Sequence, residues 1–227
     1  HYGAKVYLQS REGDRNQLLH SHKDVYPDGH KDQQVTGTPM RDINSGWIFT
    51  PFSSTVGSDV PIRGQQTLRL KHESTGAFLR VAANVDAPAS HNCSLVFSSA
   101  EQRAPHDDLW QVRLADVSSL RRVRVDGIGL LLKIADEALN IHSITSTIYF
   151  VSKKYGCFLS ITPNPLPAWG FNQREIACTP FINKGSLWRI TRNQDPSRTP
   201  YIMWLSKAIS HNAQGANRTS ASVCSPC

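Results

Sequence analysis

The 227-residue chain predicts an all-β fold, a β-trefoil of three repeats with a long loop between repeats 2 and 3 and a partly helical or disordered C-terminal tail. Three observations lead there. One pattern, an apolar turn ending in leucine and a later strand opened by tryptophan, occurs three times. The leucine-to-tryptophan separations are nearly equal: 28 residues for Leu19 to Trp47, 31 for Leu79 to Trp110 and 29 for Leu159 to Trp188. Between these anchors the chain reads as short strands cut by Gly, Asn, Asp, Ser and Pro, with no helical period sustained across the copies. A unit repeated at this period cannot bury its own apolar face, so the copies must share one core.

Repeat 1 spans about 1–52 and contains Leu18-Leu19-His20-Ser21-His22, Gln33-Gln34-Val35-Thr36 and Asn44-Ser45-Gly46-Trp47-Ile48. Repeat 2, about 64–115, opens with Leu68-Arg69-Leu70, turns at Ser74-Thr75-Gly76-Ala77 and closes at Leu109-Trp110-Gln111-Val112. Repeat 3, about 146–195, runs from Ile148-Tyr149-Phe150-Val151 through Tyr155-Gly156-Cys157-Phe158-Leu159 to Ser186-Leu187-Trp188-Arg189-Ile190. Val6 and Leu8, Leu68 and Leu70, and Ile148 and Phe150 are period-two pairs that fall on one face of a strand. That face, with the three leucines and three tryptophans, is the predicted core of a domain covering 1–195.

Residues 113–147 form a connection longer than a trefoil needs, and loops of this length are functional or disordered. Within it Gly127-Ile128-Gly129-Leu130-Leu131-Leu132 is too short to span a bilayer, and Asp136-Glu137-Ala138-Leu139 can begin a short helix. After the polar linker 193–200, apolar residues at 201, 202, 204, 205, 208 and 209 make a helical face. Residues 210–227 are low in hydrophobicity and read as disordered. Together 196–227 are a linker and tail, expected to lead toward a membrane segment of a larger parent.

The formal charge is +7, with 25 Lys and Arg against 18 Asp and Glu. The basic residues are scattered, and the densest group, Arg121, Arg122 and Arg124, reads as a solvated loop face. Without a basic strip interleaved with aromatics, no nucleic-acid partner is expected. No apolar run approaches the roughly 18 residues that cross a membrane. The stretch is expected to be soluble, and its start at His1, close to the first strand, suggests a piece of a longer protein.

The chemistry concentrates in repeat 1. His20, Ser21 and His22, with Gln33 and Gln34 in the same unit, offer donors and acceptors at fixed angles, as sugar hydroxyls or an extended peptide require. No carboxylate pair, Ser-His-Asp order or metal-ligand spread accompanies them, so binding is expected and no catalytic residue, metal site or cofactor is assigned to this chain. The competing reading has one histidine turned inward onto a backbone carbonyl and the other merely exposed. Trp169 sits beside Gly170 and offers either a stacking face for a ligand or a plug for the trefoil end. Cys157 and Cys178 fit either a luminal disulfide or two buried thiols, and the terminal Cys224 and Cys227 lack the second half of a zinc site. Asn92-Cys93-Ser94 and Asn217-Arg218-Thr219 are N-glycosylation sequons.

These residues resemble the MIR domain, the module of mannosyltransferases and of the inositol trisphosphate and ryanodine receptors. Tyr2-Gly3-Ala4-Lys5-Val6, Leu19-His20-Ser21-His22, Tyr26-Pro27-Asp28-Gly29, Gln33-Gln34-Val35-Thr36 and Asp42-Ile43-Asn44 before Trp47 follow its order. The run Leu166-Pro167-Ala168-Trp169-Gly170-Phe171-Asn172-Gln173-Arg174-Glu175-Ile176-Ala177-Cys178 is similar to the third repeat of protein O-mannosyltransferases. Repeat 2 departs, with Leu79-Arg80-Val81-Ala82 in place of the Leu-His-Ser/Thr-His step. The resemblance implies an endoplasmic-reticulum luminal module of a membrane enzyme that moves mannose from dolichyl phosphate mannose to Ser or Thr. The module binds carbohydrate or a Ser/Thr-rich acceptor protein, and its partner is the membrane-embedded part of the parent enzyme or a partner subunit. The alternative is a free-standing luminal MIR protein that partners a chaperone in quality control.

Overall fold

The computed structural model describes residues 1–115 and 147–191, apart from 11–15, 28–31, 54, 58–59 and 102–103. The predicted loop helix at 136–139, the helical face at 201–209, the tail, Asn217, Cys224 and Cys227 therefore lie outside the described residues. Those described contain twelve strands and three single-turn 3-10 helices, with no α-helix among them. Repeat 1 holds β1 (Lys5–Ser10), β2 (Gln17–Val25), β3 (Gln33–Thr38) and β4 (Trp47–Pro51). Repeat 2 holds β5 (Thr67–His72), β6 (Phe78–Ala87), β7 (Ser90–Ser99) and β8 (Trp110–Leu114). Repeat 3 holds β9 (Thr147–Ser152), β10 (Phe158–Pro165), β11 (Arg174–Thr179) and β12 (Trp188–Thr191).

The outer strands of each repeat close a six-stranded antiparallel ring in the order β1, β12, β9, β8, β5, β4 and back to β1. The inner strands form three hairpins that cap one end of the ring. Their second strands meet in a triangle: β3 pairs β7, β7 pairs β11 and β11 pairs β3. Ring plus triangular cap is the β-trefoil, as expected from the triplicated pattern.

The core follows from the same anchors. Trp47, Trp110, Trp188, Leu19, Leu79 and Leu159 are all fully buried, as are Leu8, Leu68, Leu70, Ile148 and Phe150. Each indole faces a common task, because a buried N–H left unpaired is costly. Trp47 Nε1 donates to the Leu19 carbonyl, Trp110 to Leu79 and Trp188 to Leu159, each at 3.0 Å. The sequence spacing thus records a bond: the leucine at the root of each cap hairpin is tied to the tryptophan that starts the closing ring strand.

Turn chemistry sets the approach to those tryptophans. Asp42 caps the 3-10 turn Ile43–Ser45 and Asn183 caps Lys184–Ser186, each accepting from the backbone of its turn and completed by a serine hydroxyl. At Gly185 a Cβ would fall 2.0 Å from the Ile161 carbonyl oxygen, so only glycine lets this turn pass. Gly76 and Gly156, at φ of 74° and 72°, serve equivalent turns after β5 and β9. Cys157 and Cys178 are bridged, joining the start of β10 to β11 within repeat 3 across 21 residues.

Removing the Trp188 side chain should cost about 3–5 kcal/mol. Trp188→Phe, which keeps a ring but orphans the Leu159 carbonyl, should cost about 1–3 kcal/mol; denaturant melts of both variants check the ranking. Reducing the Cys157–Cys178 bridge should lower stability by about 3 kcal/mol, the loop-entropy value for its length, read from melts with and without reductant.

Candidate functional site

The residue after each root leucine points toward the turn that precedes the tryptophan, and the three repeats fill this place differently. In repeat 1 it is His20, whose Nδ1 lies 3.2 Å from Thr36 Oγ1 and whose Nε2 lies 3.2 Å from Asp42 Oδ2. A carboxylate can only accept, so Nε2 carries a proton. In repeat 2 it is Arg80, which donates to Asp107 Oδ1 at 2.5 Å and to the Ser99 carbonyl at 3.2 Å, arginine and aspartate both buried. In repeat 3 it is Ser160, bonded to Thr179 Oγ1 and Ser186 Oγ. The departure of repeat 2 from the Leu-His step is therefore a buried ion pair in the same structural office.

His20 is thus held by Asp42 at Nε2, with Nδ1 facing the Thr36 hydroxyl. Ser21 is fully buried and donates to the Gln34 carbonyl at 2.9 Å. Gln34 is buried and donates through Nε2 to the Val25 carbonyl, leaving Oε1 without a partner. Gln33 is half-buried and accepts from Thr75 Oγ1 at 2.8 Å, a tie from the first hairpin to repeat 2. The inward histidine bonded to a backbone carbonyl is one that sequence reasoning did not single out: His72 on β5, whose Nε2 donates to the Asn44 carbonyl at 2.9 Å. Trp169 is half-buried against the small cap cluster of Tyr26, Leu95 and Phe97, edge-on to the Tyr26 ring at 5.8 Å.

His22 differs from all of these. It is 8% exposed, and neither ring nitrogen has a hydrogen-bond partner. Its Nδ1 lies 2.9 Å from Asp24 Oδ2, an ion-pair approach that misses hydrogen-bond alignment. Phe171 stands edge-on over the ring at 5.6 Å and is 61% exposed. Its φ is 57°, and the next residue, Asn172, has φ of 52°. A bulky aromatic in the left-handed region is costly, and such strain concentrates at sites of function. Phe171 is the residue missed in favour of its neighbour Trp169; no pattern in the sequence tells which of two aromatics in one turn is turned outward.

The two most distinctive motifs meet here. The connection between β10 and β11 lies along the first hairpin, pairing Trp169 with Tyr26, Phe171 with His22, and Gln173 Oε1 with the Thr36 hydroxyl, which donates to it at 2.5 Å. The result is a surface with an exposed aromatic, an imidazole whose Nε2 has no partner and two exposed carboxylates, Asp24 and Asp42. Burial pushes the pKa of His20 down against the upward pull of Asp42. Burial and then the neighbouring His20 lower His22, opposed by Asp24, and burial lowers His72. For Asp42 burial works upward, but His20, the Asn44 amide and Ser45 outweigh it and hold the carboxyl below its usual value. No group of three or more His, Cys, Asp or Glu able to hold a metal ion occurs among the described residues. Asn92 is exposed on β7.

Residues 11–184 match the family model of the MIR domain. The chain is 29% identical over 208 residues to dolichyl-phosphate-mannose–protein mannosyltransferase 2 of Candida albicans, covering 86% of this chain and 25% of that protein. It is 28% identical over 199 residues to protein O-mannosyl-transferase 2 of Drosophila melanogaster, covering 85% and 24%. The chain therefore spans about a quarter of the length of these curated relatives. Among solved structures, the SDF2-like protein of Arabidopsis thaliana superposes with a TM-score of 0.67 at 19% identity, covering 84% of this chain and 93% of that one. The Saccharomyces cerevisiae Pmt1–Pmt2 complex bound to the sugar donor superposes with a TM-score of 0.64 at 22% identity, covering 94% and 29%.

All three lowered histidines titrate later in the folded state than in the unfolded chain as pH falls. The unfolded chain takes up protons first, so stability present above the ordinary value of 6.5 is lost as pH drops through it toward the folded values. Thermal melts from about pH 7.5 to about pH 5 should show a falling midpoint, and His22→Gln should reduce that slope.

Proposed function

Because the chain belongs to the MIR domain family, we propose that it is the luminal recognition module of a protein O-mannosyltransferase of the endoplasmic reticulum. The module binds acceptor protein or already attached mannose. The parent enzyme transfers mannose from dolichyl phosphate mannose to Ser or Thr, with its lipid donor held in a membrane-embedded part or partner subunit. The relatives' names and the quarter of their length that this chain matches support that division of labour. The Cys157–Cys178 bridge supports the luminal side, since disulfides persist in oxidising compartments.

One observation carries the binding reading: the buried His22, whose Nε2 has no partner, beside the exposed, strained Phe171. A pyranose has an apolar face and a rim of hydroxyls. Phe171 offers a π-surface for the first. His22 Nε2 and the Asp24 and Asp42 carboxylates offer donors and acceptors for the second. Filling the free Nε2 valence of a buried imidazole recovers the cost of having left it unpaired, so a hydroxyl placed there is bound more tightly than one on an open surface. A free-standing protein of the same family would carry no transmembrane helices in its full reading frame, and that reading frame separates the two cases.

Titration of the chain with a mannosylated Ser/Thr peptide and its unglycosylated twin, followed by amide shifts, should move resonances of 20–24 and 171–173 with the mannosylated peptide alone. Equal binding of both would make the module a capturer of peptide, and silence from both would end the recognition reading. Phe171→Gly should weaken binding about tenfold, near 1.4 kcal/mol. It should leave stability equal or higher by up to about 1 kcal/mol, because glycine takes this φ without strain.

A further inference from the structure

The sequon Asn92-Cys93-Ser94 lies where the hairpin of β6 and β7 breaks register. Asp86 and Ala87 are adjacent on β6, yet they pair with Ser94 and Ser90 on β7. His91, Asn92 and Cys93 are therefore extruded from the ladder as a bulge. Asn92 is exposed with φ of 59°, a left-handed conformation that asparagine tolerates better than most residues. The base of the bulge is firm. At the hairpin tip the Ala89 amide donates to buried Glu175 Oε1 at 2.6 Å, and Asn164 Nδ2 donates to the Ala89 carbonyl at 2.8 Å and to Ser90 Oγ at 3.1 Å.

Space is left beside it. Ser90 and Cys93, which flank Asn92, line a cleft of about 400 Å³ together with Thr162, Thr179, Asn183 and Lys184 of repeat 3. Its accessible walls are mainly apolar, Ile161 and Pro163 among them, with polar groups from Ser90, Thr162, Thr179 and Asn183, and it belongs to the junction of repeats 2 and 3, not to the His22 and Phe171 surface between repeats 1 and 3. Cys93 is unbridged among the described cysteines, and burial pushes its thiol up.

We propose that Asn92 is an N-glycosylation site, with the first sugars of its oligosaccharide lying beside this cleft. The inference rests on the luminal reading above. In the step, Asn92 Nδ2 displaces the pyrophosphate from the anomeric carbon of a lipid-pyrophosphate-linked oligosaccharide. A C–N bond forms, the C–O bond to pyrophosphate breaks, the nitrogen loses one proton and the lipid pyrophosphate leaves with the electron pair. Ser94 supplies the hydroxyl that the sequon requires two residues on.

The test uses the full-length product of the gene, isolated in microsomes, with Asn217→Gln in every version to silence the second sequon. A control variant adds Ser53→Asn, which completes a sequon with Thr55 in the exposed turn after β4. The expected result is a glycan on the peptide that contains Asn92, removed by a peptide N-glycosidase, lost in Asn92→Gln and in Ser94→Ala and retained in Ser94→Thr. If the control acquires a glycan at the Ser53→Asn site while the Asn92 peptide is recovered unmodified, the luminal reading stands and the proposal is overturned. If neither position is modified, the luminal reading falls and takes the proposal with it.

Discussion

Everything in this molecule hangs from a hydrogen bond made three times. A buried indole N–H must find an acceptor, and a leucine carbonyl at the root of a cap hairpin must find a donor; each solves the other's problem at 3.0 Å in all three repeats. Because the tryptophan opens a ring strand and the leucine begins a hairpin, the bond also joins the two layers of the trefoil. The ring alone would be a short open barrel and the hairpins alone would be marginal. Tied together they enclose one continuous apolar core to which all three repeats contribute.

Around that shared frame the repeats have diverged at one position. The residue after the leucine reaches the turn before the tryptophan, and His20, Arg80 and Ser160 perform this with an imidazole–carboxylate pair, a buried ion pair and a hydroxyl relay. All three satisfy the polar groups they bury, the condition for placing polar residues so deep. The frame constrains only that a bond be made there, and the chemistry that makes it is free to vary. In repeat 1 the frame places a second imidazole, His22, 5.4 Å from that of His20.

The surface assigned to recognition owes its character to a local failure of the same rule. His22 is buried with its Nε2 unpartnered, and Phe171 is exposed on a backbone that disfavours it. Either feature alone would be a defect. Side by side, at the contact between the first hairpin and the β10–β11 connection, they form a place where a hydroxylated ligand restores what the fold leaves open.

Composition, spacing and strand periodicity were enough to determine the architecture. Trefoil closure requires three leucine–tryptophan ties, and a tie fixed in length leaves a fixed separation in the chain. The family's two characteristic motifs were likewise legible, because each is contiguous. What tertiary structure alone decided are matters of direction and partnership. Whether Cys157 met Cys178 or stayed a thiol depended on strands β10 and β11 bringing them together. Which histidine turns inward onto a carbonyl was settled by pairing of β4 with β5, which sets His72 beside Trp47. Trp169, for which the sequence left a stacking face and a plug of the trefoil end both open, packs half-buried on the cap cluster, and Phe171 two residues on takes the outside. Exposure is a property of what packs against a residue, and for Trp169 that is Tyr26, Leu95 and Phe97, all from the other two repeats.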